Sequence, residues 1–237
     1  MSDAVSHAQA EIYRSQAEAY DELIAAEDAD GNLRAALEQQ LQFAGKRVVD
    51  IGAGTGRIAR WVAGVASHVT LLDQAAAMLE VARQRLQADG HLDRATIVVA
   101  DARTLPLPDG CADVAVAGWV FGHFRGWMAD TWRDEVDRAV AEMARVVVPG
   151  GMHTIIDTLG TGHETPRVNA ELDEYFDHLC AAHGFARSWV RSDYVFADVD
   201  TAARVSGTFF GDRLAAQVRE NNWHRIPECT AILTRTR

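Results

Sequence analysis

Long hydrophobic runs are missing from this 237-residue sequence. Its longest uncharged apolar stretch, Val114 to Gly122, is broken by Gly118 and falls well short of the roughly 20 residues that cross a bilayer. Neither a membrane-spanning role nor a membrane partner is expected. The opening MSDAVSHAQAEIYRSQ carries acids and lacks the apolar region of a secretory leader, which reads as a cytoplasmic protein. Cysteine is scarce: Cys111, Cys180 and Cys229 are an odd number, far apart and without CxxC spacing, so neither a disulfide framework nor a zinc site is expected. HxxxH and HExxH spacings and local carboxylate clusters are also missing, and no metal is expected. Positive charge is short as well. Against 34 Asp plus Glu stand 23 Lys plus Arg, leaving −11, the wrong sign for a phosphate-backbone ligand, so nucleic acid is not expected as a partner. No Pro/Ser/Gly-rich linker, low-complexity segment or internal repeat divides the chain, and residues 1–237 read as one domain. The residues carry no signal of oligomeric state.

What is present is ordinary globular material, 48% hydrophobic and 24% charged. Short runs rich in valine and isoleucine alternate with helical periodicity. Arg47–Ile51, Val69–Asp73, Ala95–Ala100, Asp113–Gly118 and Met152–Asp157 read as strands, and Arg57–Ala66, Ala75–Ala88 and Arg133–Val146 as helices. That alternation predicts an α/β protein with a parallel sheet covered by helices. Two helical segments, about Val5–Ala26 and Asn32–Phe43, precede the first strand. After the fifth, Thr165–Pro166 reads as the start of a helix running to about His183 and ended by Gly184. A strand near Trp189–Phe196, a helix from Asp200 to about Asn221 and a closing strand Ile226–Thr236 complete a count of seven strands.

The strongest local signal is Val48-Val49-Asp50-Ile51-Gly52-Ala53-Gly54-Thr55-Gly56-Arg57, a buried strand running into a glycine turn and a helix. Glycines there let backbone approach a ligand and present amides at a helix N-terminus. The dinucleotide fingerprint wants glycine or alanine where Arg57 stands, and no Tyr-x-x-x-Lys pair is present, so nicotinamide chemistry is disfavoured. Asp50, Asp73 and Asp101 mark three successive strands. Carboxylates near the switch point of a parallel sheet can accept from ribose hydroxyls and an ammonium group.

These residues resemble class I S-adenosylmethionine-dependent methyltransferases, in the small-molecule branch related to quinone-biosynthesis enzymes. VVDIGAGTGR is similar to that family's first motif, LLDQAAAMLEVAR to its second, VVADARTLPLPDGCADV to its third, and ARVVVPGGM to its loop before strand five. The resemblance covers about residues 10–160. It implies a Rossmann-like, mostly parallel seven-stranded sheet in the order 3-2-1-4-5-7-6 with the last strand antiparallel, helices on both faces and an N-terminal helical lid. The parts would be a lid over residues 1–45, a cofactor-binding core over 46–160 and a substrate-side, sheet-completing segment over 161–237. It further implies S-adenosyl-L-methionine as cofactor and S-adenosyl-L-homocysteine as product. Gly52, Ala53, Gly54 and Gly56 would line the methionine part, Asp73 would hold the ribose, and Asp101 with Ala102 would meet adenine beside Met78. Asp50, Gln74 and Gly118 complete the cofactor set. Tyr13 and Tyr20 resemble the tyrosines of the lid helix, Tyr20 toward the cofactor and Tyr13 toward the substrate. Core packing explains Met78 and the tyrosines too, since methionine fits any core and a seven-residue spacing shares one helical face.

Ligands of open parallel sheets sit beyond the carboxyl ends of the strands. After strand four come Trp119, Phe121, Phe124 and Trp127, and after strand five the polar, glycine-spaced run from Thr158 that includes His163 and Glu164. Together they suggest a pocket for a small aromatic or apolar acceptor, with core packing the other account of the aromatics. His123, and after it His163, are the candidate proton acceptors. The activity so implied is methyl transfer to oxygen, nitrogen or carbon of a small metabolite, in which placement alone can suffice. A cofactor-binding sensor or assembly partner without turnover is the alternative.

Overall fold

The computed structural model describes residues 17–167 and 169–237, with the side chains of 17–19 outside that description. Tyr13 and the first part of the expected N-terminal helix therefore lie outside the described residues. Helix α1 (Ala17–Ala26) and α2 (Asn32–Leu41) precede β1 (Arg47–Ile51), α3 (Arg57–Val62), β2 (His68–Asp73), α4 (Ala76–Ala88), β3 (Ala95–Val99) and β4 (Ala112–Gly118). Then follow α5 (Gly122–Trp127), α6 (Trp132–Val146), β5 (Val147–Thr161), α7 (Ala170–His183), β6 (Ala186–Arg191) and β7 (Tyr194–Val195). The chain closes with α8 (Val199–Phe210), α9 (Asp212–Glu220), β8 (Arg225–Ile226) and β9 (Glu228–Thr236).

Seven strands form one sheet, β3-β2-β1-β4-β5-β9-β6, while β7 and β8 pair in a separate ribbon. Counting long strands alone, this is the expected 3-2-1-4-5-7-6, with β9 antiparallel to both β5 and β6. The inner strands are covered on both sides, so alternate residues feed two cores. Val49, Ile51, Ala115 and Ala117 face a cluster completed by Val136, Met143 and Phe176, whereas Val48, Val114 and Val116 face one completed by Leu37, Ile58 and Leu79. Chain order reverses between β1 and β4, which opens a crevice at their carboxyl ends.

A third cluster joins Leu23 of α1 to Tyr194, Phe196, Ala202, Val205, Leu214 and Val218, building a roof from α1, α8, α9 and the β7–β8 ribbon. Sequence reading erred mainly here. The helix expected from Asp200 to Asn221 starts earlier, capped by Asp198, whose carboxylate accepts from the Thr201 amide at 2.7 Å. It breaks at Gly211, with φ 89° and ψ 170°. The strand expected over Trp189–Phe196 is two strands, and Pro227, lacking an amide to donate, separates β8 from β9. Helix α7 begins at Ala170, not at Thr165–Pro166, because Asn169 supplies the acceptor for the Leu172 amide at 2.9 Å. Gly184 ends it in the left-handed conformation, as expected. Among the described residues no helix is long and apolar enough to cross a membrane. Between α6 and α7, Asp137 accepts from His178 and His183, both at 2.6 Å, a cluster invisible in the local sequence.

Candidate active site

The crevice floor is the turn after β1. Gly52 has φ 66°, and a Cβ there would lie 2.2 Å from a Val120 methyl, so both backbone conformation and space demand glycine. Gly56 cannot cap α3 with a side chain, and buried Asp50 does so instead: its carboxylate reaches through the turn to accept from the Ala59 amide at 3.0 Å. Asp50 is thereby structural, and burial pushes its carboxyl up to about 7. Neither Asp50, Ala53 nor Gly56 lines the cavity above; Gly56 packs on Ala82 and Ala53 is buried. Asp73, at the end of β2, accepts from the Gly54 amide at 2.9 Å and the Ala75 amide at 2.8 Å, so it also holds the glycine turn. Burial raises its carboxyl.

A cavity of about 490 Å³ lies over this floor. Gly52, Gly54, Asp73, Gln74, Met78, Asp101, Ala102 and Gly118 line it, with Tyr20 reaching over from α1. A Cβ on Gly54 would sit 3.5 Å from the Met78 methyl and 3.8 Å from the Tyr20 ring, filling the cradle. Arg103 grips Asp101 at 2.5 Å and Glu135 at 2.7 Å, fixing the turn after β3.

A second cavity, about 230 Å³, adjoins the first and shares Tyr20, Trp119 and His123 with it. The shared wall is stiff. Trp119 holds φ 54°, unfavourable for a bulky side chain, with the Arg57 guanidinium 3.5 Å over its ring. Arg57 in turn pairs with buried Glu27 at the end of α1, tying roof to floor. His123 stacks on Trp127 at 4.7 Å, and burial drops its imidazole to about 4, so it is neutral at physiological pH. The other lining was missed from sequence: Glu27, Asp157 and Glu228, brought together from three distant segments. Glu228 accepts from the Thr158 hydroxyl at 2.6 Å through one oxygen, while the other has no partner. Asp157 accepts from the Gly122 amide at 3.2 Å, and the Tyr175 hydroxyl lowers its carboxyl somewhat, yet burial carries it to about 7. Glu228 reaches about 8 through burial and the neighbouring Glu27.

A model of the methyltransferase domain matches residues 49–155, from β1 into β5. Over 151 residues the sequence is 33% identical to the ubiquinone/menaquinone biosynthesis C-methyltransferase UbiE of Methylobacterium nodulans, a match covering 60% of this chain and 55% of that one. Residues 49–155 therefore carry a domain of the class I S-adenosylmethionine-dependent methyltransferase family. The malonyl-[acyl-carrier protein] O-methyltransferase of Pectobacterium atrosepticum is 34% identical over 108 residues, 46% of this chain and 37% of the relative. The chain spans about half the length, or less, of the curated relatives it matches. Among solved structures the fold is similar to DhpI in its complex with SAM and HEP, with a TM-score of 0.58, 21% identity and 99% of both chains covered. It is also similar to an Aquifex aeolicus SAM-dependent methyltransferase, with a TM-score of 0.54, 15% identity and 85% and 87% covered.

The family cofactor fits the first cavity: the glycine cradle, the Asp73 carboxylate and the space above them suit an aminoacyl nucleoside. Several candidate residues stand elsewhere. Phe121 is fully buried against Phe124 in the core, so only Phe124, Trp119 and Trp127 face cavity. His163 and Glu164 line neither cavity; their carbonyls accept from Cys229 at 3.4 Å and Arg191 at 3.3 Å.

Proposed function

We propose that the protein transfers the methyl group of S-adenosylmethionine from the first cavity to a small-molecule acceptor in the second. The observation that carries this reading is the junction of the two cavities at Tyr20, Trp119 and His123, beyond the carboxyl ends of β1 and β4. When bound, the sulfonium supplies an already activated methyl group, so the chain's task is placement and exclusion of water. Asp73 and the glycine turn hold the cofactor end. Tyr20 and Trp119 form the partition that sets the approach of the acceptor, and the aromatic residues Phe209 and Phe210 of the roof keep water from it. The acceptor's body packs on Leu23, Leu172 and these rings, which suits an aromatic or apolar frame. The reaction is tested by incubating purified protein with labelled cofactor and a metabolite extract. S-adenosylhomocysteine release above the no-extract control is the expected result, and binding without release would leave a sensor or assembly partner.

A further inference from the structure

Resting on that reading, we infer that the second cavity takes an acceptor whose nucleophile is a basic amine, clasped between Asp157 and Glu228. Among the described residues, the charged groups facing the cavity are Glu27 from the end of α1, Arg57 from α3, Arg125 from α5, Asp157 from β5, Glu171 from α7 and Glu228 from β9. Arg57 is committed to Glu27 and to the Trp119 ring, and Arg125 lies 3.4 Å from Glu174. Among the described residues that leaves Asp157 and Glu228 without a salt bridge; only the Arg57 charge, already paired with Glu27, lowers Glu228 from a distance. Glu228 is 1% exposed and one of its oxygens has no partner; one Glu27 oxygen is equally orphaned. Burying carboxyls this way is costly unless a ligand supplies the missing charge or donors. An anionic acceptor would be repelled, and an alcohol would satisfy a lone pair without balancing the charge. An ammonium group does both, with three donors for the open oxygens. The remaining walls agree, since Tyr20, Tyr194, Phe209 and Phe210 offer ring faces that attract a cationic nitrogen.

The chemistry balances. An ammonium acceptor gives one proton to the Asp157 carboxylate, the freed nitrogen lone pair forms the new N–C bond, and the breaking C–S bond leaves its electron pair on sulfur. One proton per turnover then departs from Asp157 to solvent. A carboxyl raised to about 7 is well matched to that exchange, whereas His123 at about 4 is too weak a base.

Calorimetry on protein saturated with S-adenosylhomocysteine tests the clasp with benzylamine, benzyl alcohol and benzoate as matched probes. Benzylamine should bind at least tenfold tighter than either analogue, and tighter at pH 8.5 than at pH 5.5 as the two carboxyls ionise. Asp157→Asn and Glu228→Gln should each remove at least tenfold of that preference, with unchanged affinity for S-adenosylhomocysteine certifying the fold. Equal or better binding of the alcohol or benzoate, no binding of any probe, or a preference that survives both substitutions overturns the inference. A second arm supplies trideuteromethyl cofactor and a metabolite extract and locates the label by mass spectrometry. Label on nitrogen supports the amine. Label on oxygen or carbon overturns it while leaving methyl transfer intact, and no labelled product, with S-adenosylhomocysteine still bound by calorimetry, overturns both.

Discussion

At the scale of single residues the two cavities divide by how far apart their ligands lie in the sequence. Gly52, Gly54 and Asp73 were legible because a strand, a glycine turn and the end of the next strand present them within a short stretch, and local spacing carries that signal. Glu27, Asp157 and Glu228 were not, because only the closing of α1 and β9 over β5 brings them to one wall. Asp50 was legible as a buried acid but not as the cap of α3, since capping from inside a strand depends on the turn's exact path. On the proposed reading that Asp73 holds the cofactor ribose, replacing it with alanine removes charge-assisted bonds there as well as the tie to the Gly54 amide. It should weaken S-adenosylhomocysteine by about 10–150-fold by calorimetry, equivalent to about 1.5–3 kcal/mol. His123 offers a contrast: with its imidazole held near 4 by burial, His123→Gln should keep kcat within about threefold. Asp157→Asn should lower kcat by about 10²–10⁴, the usual range for a lost general base. Equal losses in the two variants would return the proton to the histidine.

At the scale of elements the sheet was readable and the roof was not. Strands β1 to β5 alternate with helices at regular intervals, and hydrophobic periodicity suffices to find them. Helices α8 and α9 share one amphipathic period, so nothing in that period marks the break; Gly211 does, through a backbone conformation open almost only to glycine. A Cβ there meets no atom within 4 Å, so Gly211→Ala isolates the backbone cost. The variant should lose about 1–3 kcal/mol, and Tm should fall by about 2–4 °C for each kcal/mol in differential scanning calorimetry. An unchanged Tm would mean that the two helices merge without penalty.

For the molecule as a whole, buried acids make stability depend on pH in an unusual direction. Asp50 and Asp157 titrate near 7 in the fold and Glu228 near 8, all above their unfolded values near 4. The folded state therefore holds protons that the unfolded chain has released, and stability falls as pH rises from about 4 to about 8. Acids held low by arginines, such as Asp101 beside Arg103, work the other way, their contribution fading only as pH drops below the usual carboxylate range. Glu228→Gln should accordingly raise Tm at pH 8.5 and change it little at pH 5.5. Equal shifts at both values would show that Glu228 ionises as an ordinary surface acid does.

Trp119 sets a last property of the whole. Its left-handed backbone is pinned between the Arg57 guanidinium and the strand end, where its amide donates to the Ile156 carbonyl at 2.7 Å. On the proposed reaction, a partition so fastened behaves as a ruler: the gap between donor and acceptor belongs to the protein, not to whichever molecule enters. Acceptors can then vary in girth, which the aromatic roof accommodates, but hardly in reach, and a homologous series lengthened one methylene at a time should show a single sharp optimum in kcat.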